Sequence, residues 1–180
     1  MAKIAKIPVE QLSEETARLY DALNDEKDLA VILIGTGFLD ACLKSLLEAH
    51  FLDGSTSERL LQPSGAIGGF RARTDLCYVL GLIPKSAHGN LVTLGEIRNR
   101  VAHHHLDMDF SDAAIGAEVA KLTVALTGYL ADAPGRTRFT LCVVLLANML
   151  ILNTLQVRAR GEKTPKNESE IIYRKIEAPT

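Results

Sequence analysis

Apolar side chains recur along this chain at spacings of three and four, the repeat of one face of a helix at about 100° per residue. Over residues 9–23 the repeat is Val9, Leu12, Thr16, Leu19 and Leu23, and it stops at the polar pair Asn24-Asp25. A second helix is predicted over 25–51, with Leu29, Ile32, Leu33, Gly37, Leu39, Leu43, Leu46 and Leu47 as its apolar face. Gly35 and Gly37 weaken it by about 1 kcal/mol each relative to Ala, and the use that repays this is close packing against a neighbouring helix. Asp53-Gly54-Ser55 breaks the chain, and Ser55 caps a short helix over 56–61. Residues 62–70, QPSGAIGGF, read as a loop wrapped around a packed helix. A phosphate cradle would need a Lys-Ser/Thr pair and a strand-turn-helix setting that this stretch lacks.

A helix over 71–82 follows, with Leu76, Val79, Leu80 and Ile83 apolar, then Pro84 and a long helix over 85–104. Ser111 caps the next helix, whose apolar set is Ile115, Val119, Leu122 and Leu126. Ala133-Pro134-Gly135 turns the chain into a run that is almost wholly apolar over 139–152, ending near Arg160-Gly161. That run is shorter than the ~20 residues that span a bilayer, and Asn148, Asn153 and Gln156 interrupt it, so it reads as a buried core helix. No strand alternation and no internal repeat occurs, and the fold class is all-α: one multi-helical bundle over 1–160, then a charged, flexible tail over 161–180.

Composition sharpens this picture only in places. The 180 residues suffice for one domain without staples. Aromatics make up 5% with no Trp, which suits packed helices rather than a β-sandwich. The net charge of −2 excludes a uniformly basic, nucleic-acid-seeking surface, so any such contact must be local. Cys42, Cys77 and Cys142 are odd in number and set among apolar residues, which points to neither a disulfide framework nor a zinc site. The N-terminal MAKIAKIPVE has no apolar signal core, so the expected compartment is the cytoplasm.

Chemistry-bearing side chains crowd together at 96–105, EIRNRVAHHH. On a helix, Leu94, Ile97 and Val101 form one stripe, and Glu96, Asn99, Arg100 and His103 lie opposite. Arg98 stands about 140° around the helix from His103. The two meet only if the helix ends near His103 or a second copy crosses it. Arg71 and Arg73 join Arg98 and Arg100 as a candidate basic patch, and Glu96, Arg100 and His104 complete the candidate substrate-binding set. No aromatic stacking platform accompanies them, and no short turn leads into a basic recognition helix. The consecutive histidines 103–105, with Asp107 and Asp109, invite a metal, but neighbours on a helix diverge by about 100° and cannot share one ion. No metal or cofactor is therefore assigned.

The order Arg98-Asn99-x-x-x-His103 resembles the signature of HEPN domains, all-α proteins whose ribonuclease members carry Arg, a polar residue and His at this spacing. More broadly, GAIGGF at 65–70 with Arg73, YVLGLI at 78–83 and IRNRVAH at 97–103 resemble the family of the mannitol operon repressor, MltR, over most of 29–157. That resemblance implies an all-helical transcriptional regulator, a repressor without a recognised DNA-binding helix, acting through a protein partner. The HEPN resemblance implies a metal-independent ribonuclease instead. Arg98 would then hold the phosphate, His103 would transfer the proton and Asn99 would orient His103, with a homodimer bringing two copies of the pair into one groove. The same residues also suit a structural role, satisfying carbonyls and loops at a helix end. Both readings stand on the sequence.

Overall fold

The structure is a computed structural model that describes residues 14–103, 108–123 and 133–161. The described elements are all helices: α1 (Glu14–Asp25), α2 (Asp28–His50), α3 (Ser55–Leu61), α4 (Phe70–Val79), α5 (Lys85–His103), α6 (Ala113–Val119) and α7 (Gly135–Arg160). The all-α bundle expected from the periodicity is what forms. The start of the first helix, with Val9 and Leu12, falls outside the described residues, as do Leu126 and the tail from 162.

The core is built on α2 and α7, which run parallel. Arg136 at the start of α7 reaches Asp28 at the start of α2, and Val157 near the end of α7 shares a cleft with Ala49 near the end of α2. Midway, Gly35 lets the helices close: a Cβ there would lie 3.2 Å from Val143 Cγ1. Gly37 faces open space and does no such work. Both helices are long and apolar enough to cross a membrane, and about half of each apolar window, 44% in α2 and 50% in α7, is buried inside the bundle. Phe139, Cys142, Val143, Leu146 and Leu150 of α7 are core residues.

Arg136 ties the beginning of the chain to this pair. Its guanidinium pairs with Asp28 and donates to the carbonyls of Leu23 and Glu26, closing the turn between α1 and α2. Thr16, Leu19 and Leu23 bury the inner face of α1. Opposite, α4 and α5 pack on α2, with Leu91, Leu94, Ile97 and Val101 turned inward.

Several local readings are corrected. The cap of α6 is Asp112, whose Oδ1 accepts from the N–H groups of Ala114 at 2.8 Å and Ile115 at 3.2 Å, while Ser111 turns back onto Asp109. Ser55 is the first residue of α3, and the cap position is Gly54, whose φ of +152° suits glycine. The buried face of α4 is Phe70, Arg73, Thr74 and Cys77, whereas Val79 is 78% exposed. The reason is an early stop. Gly81, at φ +71°, closes a paired cap in which Leu82 N–H reaches Cys77 O and Gly81 N–H reaches Tyr78 O, both at 2.9 Å, so α4 stops at Val79, and Val79 and Leu80 at its end stay exposed. Leu33, on the apolar face read for α2, is 41% exposed.

Candidate functional site

The second half of α5 carries the candidate site because its two faces are sorted by chemistry. Leu94, Ile97 and Val101 anchor it in the core, so Glu96, Arg98, Asn99 and Arg100 are left exposed. The helix stays α-helical through position 103, so positions 98 and 103 are about 140° apart around its axis. His104 lies outside the described residues. Arg98 and Asn99 make no hydrogen bond or ion pair to another side chain among the described residues.

Arg100 is held differently. Its Nη2 lies 3.3 Å from Glu118 Oε1 on α6, and Lys121 Nζ sits 2.8 Å from the other oxygen. Glu118 is only 9% exposed, and the Lys121 hydrogen bond, with the charges of Lys121 and Arg100, holds its carboxyl below the ordinary range. Arg100 is therefore fixed beside α6 as part of an acid flanked by two cations. Glu96, on the same polar face, is exposed and makes no ion pair among the described residues.

The single basic patch expected from Arg71, Arg73, Arg98 and Arg100 is not what forms. Arg73 is 5% exposed and turned inward: Nε donates to Ile67 O at 3.0 Å, Nη2 to Leu61 O at 2.9 Å, and Nη1 pairs with Asp40 at 2.7 Å. It clamps the glycine loop, whose backbone lies so close to α3 that a Cβ on Gly65 would fall 2.3 Å from Arg59 O. The reading of 62–70 as a loop wrapped on a helix holds for this reason. Arg71 is exposed and grips both oxygens of Asp75 at 3.0 and 2.8 Å. Asp75 also meets His88 Nε2 at 2.7 Å, in the first turn of α5. That is ten residues before Arg98, or ~15 Å along the axis.

Two charged groups were not legible as such in the sequence. His88 is paired to Asp75 and faces Tyr78 with ring centroids 4.7 Å apart, and the hydrogen bonds from His88 and then Arg71 lower the Asp75 carboxyl. Only the Arg71–Asp75 spacing of four foreshadowed this cluster. Nothing local marked Glu118, a lone acid in a short apolar helix, as the group that orders Arg100.

The arrangement thus offers an exposed polar ridge with one unengaged guanidinium and one fixed guanidinium, on a rigid helix. A solved structure shares its scaffold. It is the X-ray structure of the MtlR-HPr complex from Escherichia coli, matched at a TM-score of 0.62 and 19% identity over 77% of this chain and 99% of that one. The chain has an MtlR-like fold. No family model matches the sequence, and no curated protein matches it.

Proposed function

We propose that this chain is a regulatory protein that acts by binding another protein through the exposed polar ridge of α5, and that any part it plays in transcription runs through that partner. The observation that carries this reading is the likeness of the fold to a protein solved in a protein complex, MtlR with HPr. The exposed Arg98 and Asn99 support it, since an arginine that pairs with none of the described residues and projects from a helix is a favourable anchor for an interface. An HPr-like protein is the first candidate partner.

Titration calorimetry of the full chain against Escherichia coli HPr tests this reading. We expect saturable binding that Arg98→Glu weakens by about tenfold or more with the helical circular dichroism unchanged. No heat of binding with the wild type, or equal affinity of the variant, would remove HPr or this ridge from the proposal. In a gel shift the protein alone is expected to show no sequence-selective DNA binding, because among the described residues no short turn leads into a basic recognition helix.

A second reading keeps its place because Arg98 and Asn99 are exposed at the spacing Arg-Asn-x-x-x-His. In it the chain is a metal-independent, HEPN-like ribonuclease in which Arg98 stabilises the phosphate and His103 transfers the proton, with a second copy completing the groove. Cleavage of RNA in excess chelator, lost in folded Arg98→Ala and His103→Ala, would put this reading first.

A further inference from the structure

The helices α2 and α7 are covered unevenly along one side. There α1 packs on both of them and runs antiparallel to them, because Arg136 ties its end to the starts of α2 and α7. Its 12 residues span ~18 Å, whereas the 23 residues of α2 span ~34 Å, so among the described residues about half of that side has no helix over it. The uncovered half is a groove of about 310 Å³. Phe38, Ala41 and Cys42 of α2 form one wall and Ile151 and Leu155 of α7 the other, with Leu155 53% exposed. At one end stands Glu15, the second residue of α1, and Arg158 in the last turn of α7 also lines the groove. Glu15 sits close to Cys42: burial, and after it the Glu15 charge, push that thiol up to about 12.

We infer that residues 6–13 of this same chain dock in the groove, carrying the line of α1 onward with Val9 and Leu12 against its apolar walls. Three observations select this occupant over another protein or a second copy. The groove begins where the described part of α1 begins, so any other occupant would have to share it with the chain that leads into Glu14. The apolar repeat of α1 also continues into that chain. Val9 and Leu12 precede Thr16, Leu19 and Leu23 at alternating spacings of three and four, and the last three form the buried face of α1. The lengths agree as well. The uncovered part of α2 is ~16 Å long, of which a helix from Pro8 to Ser13 would cover ~9 Å and two extended residues, Lys6 and Ile7, about the rest. Proline is accepted in the first turn of a helix, so Pro8 suits the place where that extension starts.

The docked segment closes this apolar groove to helices of other proteins. It leaves the α5 ridge untouched, since α5 packs on the opposite side of α2 from α1. The inference therefore stands or falls independently of whatever binds at Arg98.

The test follows amide hydrogen exchange in the full chain. We expect the amides of 9–13 to exchange about tenfold or more slower than those of an unstructured chain. Leu155→Asp and Ala41→Glu, each at an exposed position of the groove, should remove that protection while the amides of α5 keep theirs. A paramagnetic label at Gln11→Cys should broaden the methyl signals of Leu155 and Ile151 within the same molecule, the native Cys42, Cys77 and Cys142 being buried. Amides at 9–13 that exchange as in an unstructured chain would overturn the inference. So would protection that survives both groove variants, or broadening that arises only between labelled and unlabelled copies, which would give the groove to a second copy.

Discussion

Arg73 shows how one side chain can change meaning between a sequence and a fold. In the string GAIGGFRAR it looks like a twin of Arg71 and a candidate ligand for phosphate. Folded, its planar fork reaches two carbonyls and the Asp40 carboxylate at once, and it holds the glycine loop onto α3. Arg73→Ala is expected to destabilise the protein by about 3 kcal/mol in urea unfolding, because two carbonyls and a carboxylate lose a partner together. Arg73→Lys should recover only a minor part of that, since a point charge cannot span the three acceptors. The acids Asp75 and Glu118 give a second residue-scale expectation. Both carboxyls are held below their ordinary values of 3.8 and 4.5, so the stability they contribute is complete above those values and is lost as the pH falls below them. Melting temperature should therefore drop between about pH 4.5 and 2, and Glu118→Gln should make that drop shallower.

At the scale of the element, the two glycines of α2 separate intrinsic propensity from packing. Each costs the helix about 1 kcal/mol relative to Ala, yet only Gly35 returns it through contact. A Cβ at Gly37 meets nothing within 4 Å, whereas at Gly35 it meets both methyls of Val143, at 3.2 and 3.3 Å. Gly37→Ala is expected to stabilise the protein by ~0.5–1 kcal/mol, and Gly35→Leu to destabilise it by ~2 kcal/mol or more, because the parallel helices must be pushed apart. Urea midpoints of the two variants moving in the same direction would contradict this account. The amides in α7 show the same division of labour. Asn153 interrupts an apolar run, but its Nδ2 donates to Leu82 O at 3.0 Å and holds the connection between α4 and α5 against the core helix.

At the scale of the molecule, the orientation of α5 joins the proposed activities to one another. Arg98 and position 103 lie in its last turns, so a second copy can complete a groove there only by crossing α5 at the end where a partner protein would also dock. Partner binding at Arg98 and a nuclease groove shared between copies therefore compete for the same ridge. The calorimetry and the RNA cleavage assay therefore decide between arrangements that the isolated chain permits equally.

The all-α class, the main helices and the inward stripe of α5 were written in the sequence, because a period of 3.6 in apolar residues depends on local order alone. The exposed polar ridge was legible for the same reason, since fixing one face of a helix fixes the other. Tertiary structure decided what each charged residue of the site does. Arg73 was assigned to the loop, Arg71 to Asp75 and Arg100 to Glu118, and Arg98 was left facing solvent. The partners of Arg73 and Arg100 lie on other elements, up to dozens of residues away, where no local spacing encodes them, and only the Arg71–Asp75 spacing of four was local. The burial of Cys77 instead of Val79 on α4 was likewise a tertiary outcome, set where Gly81 stops the helix and turns its last apolar residues away from the core.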